Sequence, residues 1–384
     1  MVTTTIFTTW YNAPSIPIAP LTRDQIRDQF RWNKPSDSAR QRSLKPILNS
    51  TLGFEKVLAI NMPERTDHRD MLVLSAAVSD IHIDFVDGVK GDTVLKDVLP
   101  PLLNQEFGAK TIGSWRAHIN AISAIVEEGW SSALILEDDL HWDVRLKQQL
   151  QDFALASDVF LRTDNTKAAK INLKDADTSH VPKTSPYGDD WDVLWVGHCG
   201  MDLPTDAPIV LMDNDTTTVT IRNQVSWDSH AEPPMRAYPE HTRAISDART
   251  MVCTLGYAVS QKAARSILYE IGLKRLDHPF DVLLAKWCDG IHGFEKHKCV
   301  GVLPQIMDHY SPSGNVHWSV RANLDKILHG ETDYRYEERP EREAEKAEKE
   351  EKEKKEKEEK EKKEKEQKEK EEKEKAKEAE EPQE

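Results

Sequence analysis

Between Lys56 and Gly88 the chain lays down a strand, a helix and a second strand, and that order limits what the rest can fold into. Lys56-Val57-Leu58-Ala59-Ile60-Asn61 is a short apolar run ending in a polar residue, the pattern of a buried strand. Asp67 to Val78 has helical spacing. Ile81-His82-Ile83-Asp84-Phe85-Val86 alternates and closes on Asp87-Gly88, a strand followed by a turn. Strands joined through a helix lie parallel, with helices covering the sheet, so the expected class is α/β.

The pattern continues downstream. Trp115–Glu128 reads as an amphipathic helix with Ile119, Ile122, Ile125 and Val126 along one side and Gly129 as its stop. Ser132-Ala133-Leu134-Ile135-Leu136 is a buried strand that runs straight into Glu137-Asp138-Asp139. Val144–Phe160 is expected to be helical, Asp164–Asp190 a loop, and Trp191–Gly197 another buried strand. Residues 201–247 read as irregular structure with short strands, and Thr250–Val259 as one strand. Gln261–Ile271 and Pro279–Trp287 follow as helices, Cys299–Leu303 as a late strand, and Pro304–Trp318 as a loop.

Composition sets the boundaries. Residues 1–50 are rich in Pro, Thr, Ser and Arg and read as a mostly irregular leader with one short helix around Asp24–Arg31; folded structure is expected from Phe54. The folded domain should occupy residues 51–330. Residues 331–384 carry 25 acidic and 18 basic side chains, which leaves 42 and 34 for residues 1–330, a net of −8. That mild acidity argues against broad nucleic-acid binding, which wants a basic face. The tail has almost no apolar side chains to bury, so it should be disordered or a solitary helix supported by Glu-to-Lys i,i+4 pairs. It has no apolar seam for a coiled coil. The four cysteines form no C-x-x-C pair and fit a reduced protein or one or two disulfides equally. The first residues lack the basic and unbroken apolar stretches of a signal peptide. No stretch approaches the roughly 20 apolar residues of a membrane-spanning helix.

Three consecutive carboxylates, Glu137-Asp138-Asp139, fall at the carboxyl end of a buried strand, where open α/β sheets bind ligands. Adjacent like charges are costly unless a cation or a donor set neutralises them. Mn²⁺ or Mg²⁺ would accept one or two of these carboxylates and complete its shell with water and diphosphate oxygens, which a nucleotide sugar supplies. Carboxylates after a strand also serve as solvated turns or helix caps. Asn61 ends the first strand, and Arg65 and Arg69 follow at a spacing that suits bidentate phosphate contacts or an ordinary charged helix surface. Asp87-Gly88 ends the second strand, where a carboxylate can meet ribose or uracil or simply shape a turn.

With these residues in order, the segment from Lys56 to about Ser313 resembles family 25 glycosyltransferases. That family includes bacterial lipopolysaccharide and animal procollagen galactosyltransferases and many fungal members. The resemblance is carried by Ala59-Ile60-Asn61-Met62-Pro63-Glu64-Arg65 with Arg69, by Phe85-Val86-Asp87-Gly88, and by Gly113-Ser114-Trp115-Arg116-Ala117-His118. It continues through Leu136-Glu137-Asp138-Asp139, Trp191–Gly197, Thr254-Leu255-Gly256-Tyr257-Ala258-Val259-Ser260 and Pro279-Phe280-Asp281. Ala117 stands where members commonly carry Ser.

The resemblance implies a GT-A type, Rossmann-like nucleotide-sugar-binding fold with a mixed central sheet. It implies inverting, metal-dependent transfer of a hexose, galactose first, from a UDP-sugar to a glycan or glycoprotein acceptor, in a secretory compartment. Asp281 would be the base that deprotonates the acceptor; a helix N-cap is the plainer role for it. Asp139, then Glu137, would hold Mn²⁺ or Mg²⁺, with His309 closing the site. Asn61, Arg65, Arg69, Asp87, Gly88 and Asp138 would bind the donor, and Trp115 and His118 would face the acceptor. A phosphate loop, G-x-x-x-x-G-K-[ST], is absent, as is G-x-G-x-x-G after the first strand, so a P-loop phosphoryl transferase and a dinucleotide oxidoreductase fit poorly. The alternative from another class is a silent glycosyltransferase-like domain that binds partners through its charged tail.

Overall fold

The computed structural model describes residues 38–164, 167–221, 224, 234–310 and 318–329; the expected helix at Asp24–Arg31 and the charged tail lie outside them. The strands of the main sheet are β1 (Lys56–Asn61), β2 (Asp84–Asp87), β3 (Ser132–Glu137), β4 (Leu140–Trp142), β5 (Ala169–Asn172) and β6 (Val193–Gly197). They continue as β7 (Pro208–Met212), β8 (Arg243–Asp247), β9 (Gly256–Ser260), β10 (Cys299–Leu303) and β11 (Met307–His309). All belong to one 11-stranded sheet with the order β2-β1-β3-β9-β6-β10-β8-β7-β5, and β11 pairs with β4 and β6. β1 is parallel to β2 and β3, as the strand–helix–strand order requires. β9 then runs antiparallel between β3 and β6, which makes the sheet mixed.

The helices are α1 (Ala39–Ser43), α2 (Thr66–Ser79), α3 (Ala109–Glu127), α4 (Leu146–Arg162), α5 (Gln261–Ile267), α6 (Phe280–Asp289) and α7 (Leu324–Leu328). Successive strand residues point to opposite faces, and the core divides accordingly. Val57, Ala59, Leu134 and Leu136 join Leu72 of α2 and Phe153 of α4 in one cluster. Leu58, Ala133 and Ile135 join Trp115 of α3, Ile267 of α5 and Leu284 of α6 in the other. The result is a sheet with helices on both faces. α2 ends where Asp80 takes a left-handed φ of 53° and its N–H reaches the carbonyls of Ala76 and Ala77, a helix stop that Asp tolerates better than most residues.

The structure corrects several expectations. Folded structure is already present at Ser38, ahead of the expected start at Phe54: Ser38 caps α1 by accepting from Gln41 N–H, and Leu44 and Ile47 are buried against the core. Arg40 is buried too and donates to the Ala154 carbonyl at 3.1 Å. The expected loop at 164–190 holds β5 and the buried Tyr187, which stacks on Phe54 at 4.8 Å. Thr250–Val259 is not one strand. Arg249–Val252 pairs with Gly200–Asp202, the chain bends at Cys253 with φ 65°, and β9 starts at Gly256. α5 continues into a π-helical turn at Leu268–Leu273, and Pro304–Trp318 contains β11. The cysteines, left open by the sequence, pair as Cys199–Cys253 and Cys288–Cys299.

Ile47 has no exposed surface, so Ile47→Ala should cost about 2–4 kcal/mol through lost burial and the cavity left behind. The urea midpoint should fall with an unchanged slope; an unchanged midpoint would mean that residues 38–48 do not dock.

Candidate active site

The parallel register of β1, β2 and β3 brings their carboxyl ends to one edge, with Asn61 opposite Asp87 and Ile60 opposite Glu137. A cleft of about 550 Å³ opens there. Its walls are the ends of β1 and β3, the loop Gly88–Asp92 and the first turns of α3. Loop and helix pass so closely that a Cβ on Gly113 would sit 2.2 Å from the Val89 carbonyl oxygen, and one on Gly91 1.9 Å from that of Ala109. Only glycine permits this contact.

Each of the three carboxylates has a different environment. Asp138 accepts from Asn61 Nδ2 at 2.6 Å and lies 2.9 Å from His68 Nδ1. Asn61 also donates to the Arg65 carbonyl at 3.2 Å, locking the turn from β1 into α2. Glu137 accepts from Thr254 Oγ1 at 2.7 Å, with His118 Nε2 at 3.6 Å. Burial pushes the Glu137 carboxyl up, but His118 and the Thr254 hydroxyl outweigh it and hold it below its usual value. His118 is itself fixed by Tyr257 OH at 2.9 Å from Nδ1 and by stacking on Phe280 at 4.5 Å.

Asp139 is the odd one out. Its side chain keeps 42% of its exposure, yet Oδ1 is enclosed and has no hydrogen-bond partner among the described residues. Enclosure raises this carboxyl above its ordinary value; His309 opposes the rise, and the charges of Glu137 and Asp138 add to it. His309 Nδ1 stands 3.6 Å from Oδ2. An enclosed carboxylate oxygen without a hydrogen-bond partner among the described residues offers a ligand to a hard divalent cation such as Mn²⁺ or Mg²⁺, although no three of Glu137, Asp138, Asp139 and His309 bring ligand atoms within 4.8 Å of one another. The sulfurs of Cys199 and Cys253 also lie within 4.8 Å of His309, but as a disulfide they offer no thiolate.

The other predicted site residues divide. Gly88 lines the cleft, where a Cβ would meet Met62 Sδ at 2.5 Å. Asp87 is exposed and outside the lining. Arg65 does not turn to the cleft; its guanidinium pairs with both oxygens of Asp67 at 2.9 and 2.8 Å. Arg69 lies over the Phe85 ring at 4.0 Å. Trp115, expected on the acceptor side, is completely buried in the core beneath α3, where it cannot meet an acceptor. His118 lines the cleft but its ring is engaged by Tyr257, Phe280 and Glu137.

Asp281 sits in the first turn of α6, and Cys253 N–H donates to its Oδ2 at 3.0 Å. It does not line the cleft, but the residue after Cys253 is Thr254, the partner of Glu137. Sequence reasoning missed His68 and the role of Thr254. His68 is one residue from Arg69 on the same helix, so only the geometry picks the imidazole over the guanidinium.

No protein-family model matches the chain. Over 256 residues, 64% of this chain, it is 20% identical to procollagen galactosyltransferase 1 of Danio rerio. Over 246 residues, 61% of the chain, it is 19% identical to procollagen galactosyltransferase 2 of Mus musculus. A shorter stretch of 128 residues is 23% identical to procollagen galactosyltransferase 2 of Homo sapiens. These stretches cover 33%, 30% and 20% of the relatives, so the chain spans a third or less of their length. The matches support a distant, family 25-like relationship and, at that level, a glycosyltransferase. The mixed α/β sheet agrees with such a fold.

The raised Asp139 carboxyl has a thermodynamic consequence. A carboxyl whose folded value lies above its unfolded one binds protons more tightly when folded, so its ionisation opposes folding at neutral pH. Asp139→Asn should therefore raise the melting temperature at pH 7 in chelator. The gain should shrink as pH falls through the raised carboxyl value, where the native side chain is protonated too. A lower melting temperature at pH 7 would mark Asp139 as a structural residue.

Proposed function

We propose that this chain is a metal-dependent, inverting GT-A type glycosyltransferase that moves a hexose, galactose first, from a UDP-sugar to a hydroxyl of a glycan or glycoprotein. The observation that carries the reading is the sorting of Glu137, Asp138 and Asp139. Two are held by protein donors, and the third keeps an enclosed oxygen without a hydrogen-bond partner among the described residues, at the mouth of a cleft. Asp139 would be the first ligand, Glu137 the second, and His309 would close the site. A divalent cation there supplies positive charge against the diphosphate as it leaves.

The protein's own residues supply the rest. Asp138, oriented by Asn61 and His68, would accept a ribose hydroxyl. Gly88 and Gly91, which let the loop pack against Met62 and Ala109, would line the nucleotide pocket. Asp87 would serve the base or ribose, and Arg65 and Arg69 the phosphates, after release from Asp67 and Phe85. Asp281, whose Oδ2 is held by Cys253 N–H, would take the acceptor proton on its other oxygen. As the hydroxyl oxygen bonds to the anomeric carbon, its proton passes to Asp281 and the bond to UDP breaks on the opposite face, which inverts the configuration. Both disulfides suit an oxidising compartment, which supports a secretory setting. Among the described residues no helix is long and apolar enough to cross a membrane.

The test is UDP release from a panel of UDP-sugars by the full chain, in Mn²⁺ and in chelator. Release from one donor should require Mn²⁺ and fall at least about 100-fold in Asp139→Ala. Asp281→Asn should lower kcat by about 10²–10⁴ with little change in the donor KM. No turnover together with no Mn²⁺-dependent UDP binding would sink the enzyme and leave the silent-domain alternative.

A further inference from the structure

A second cluster of ligand-type side chains lies outside the cleft, where the chain entering α6 meets the chain leaving it. Before the helix comes Asp277-His278-Pro279. After it, Gly290, His292 and Gly293 take φ of 69°, 61° and 85°, and these left-handed residues fold the chain back. His292 is the one of the three that is not glycine, in a conformation that residues with a side chain rarely adopt. The fold places its Nε2 2.8 Å from Asp277 Oδ2. Arg275 fixes the same turn through the main chain, donating to the His292 carbonyl at 2.8 Å while its guanidinium lies over Phe294.

Two further polar atoms of the cluster are poorly satisfied. His278 Nδ1 and Asp277 Oδ1 face each other at 3.5 Å, and both are enclosed without a hydrogen-bond partner. At 3.5 Å the contact is too long for a good hydrogen bond whichever His278 nitrogen carries the proton, so it recovers little of the solvation that both atoms give up on burial. The His278 and His292 rings stand nearly perpendicular with centroids 4.9 Å apart. One ligand atom from each of Asp277, His278 and His292 lies within 4.8 Å of the other two. In a tetrahedral zinc site with ~2.0–2.1 Å bonds, neighbouring ligand atoms are about 3.3–3.4 Å apart. The observed separations of 2.8 and 3.5 Å run to different oxygens of Asp277, so the carboxylate would turn to give one oxygen to the ion.

The geometry points to a zinc-class cation site formed by Asp277, His278 and His292, distinct from the carboxylates of the cleft. Two imidazoles and one carboxylate favour a borderline ion over the harder Mg²⁺ and leave a fourth position for water. A cation there ties together both ends of α6, whose first turn carries Asp281. The inference needs no transfer activity and stands or falls apart from it.

The experiment is a Co²⁺ titration of the chelator-stripped full chain in excess Mg²⁺, read by visible absorption, with Zn²⁺ added last. One equivalent should give the intense bands of a four-coordinate site with nitrogen ligands, and Zn²⁺ should abolish them. The bands should persist in Asp139→Ala, disappear in His278→Ala/His292→Ala, and require at least 10-fold more Co²⁺ in Asp277→Asn. Zn²⁺ should raise the melting temperature of the native chain but not of the double variant. Circular dichroism in chelator checks that each variant folds; should the double variant fail, Asp277→Asn decides. Bands that are absent in the native chain, unchanged in the Asp277 variant, or lost with Asp139 would overturn the site.

Discussion

Three neighbouring carboxylates at the end of one buried strand must be kept apart in energy, and the sheet order does it. β3 lies between β1 and β9. Asp138 is drawn to the β1 side by Asn61 and, from α2, His68; Glu137 is drawn to the β9 side by Thr254 and His118. Asp139 has only His309 of β11 beside its Oδ2, and its Oδ1 is left without a hydrogen-bond partner among the described residues. Enclosure raises the Asp139 carboxyl first, and the neighbouring charges of Glu137 and Asp138 add to the rise. A site that costs stability in the empty protein is the usual mark of a place shaped for a ligand.

The antiparallel insertion of β9 has a second effect. At its start Gly256 passes Gly197 of β6 so tightly that a Cβ on Gly197 would lie 2.8 Å from Gly256 N and 3.0 Å from Met307 Cβ. That small-residue contact lets β11 run along the end of β6 at Met307 and reach β4, carrying His309 to Asp139. Buried Arg243 secures the preceding turn by donating to the Pro304 and Gln305 carbonyls while Asp215 balances its charge. The imidazole beside Asp139 thus depends on packing and charge far from the cleft.

Most of the framework was legible because its signals are local. The apolar runs of β1, β3, β6 and β10 read directly from the sequence, and strand–helix–strand order gave the parallel pairing. The parts that escaped have weak local signals. α1 contributes a short polar stretch, and Leu44 and Ile47 that follow it become core residues only because α4 covers them. The bend at Cys253 comes from a left-handed φ that no composition announces. In the site, the carboxylates stand out in sequence but their separate roles do not, because these come from partners on β1, α2 and β9. Arg65 and Arg69 have the right residue type and spacing for phosphate, yet spacing does not say that Asp67 and the Phe85 ring lie nearer. Trp115 was legible after all: it stands at i−4 from Ile119 and i−7 from Ile122, which extends the apolar side of α3 back to the core.

Cys253 links Asp281 to the carboxylates of the cleft. Its disulfide to Cys199, the Cys199 N–H donated to the Val252 carbonyl at 2.8 Å, and its own carbonyl, which accepts from Trp195 Nε1 at 3.1 Å, fix the backbone at a residue with φ 65°. From that point its N–H holds Asp281 and the next side chain, Thr254, holds Glu137. The candidate base and a candidate metal ligand therefore take their positions from two adjacent residues of one rigid bend. A base and a leaving-group site must keep a fixed separation for in-line displacement, and a shared covalent anchor maintains that separation better than two independent loops could.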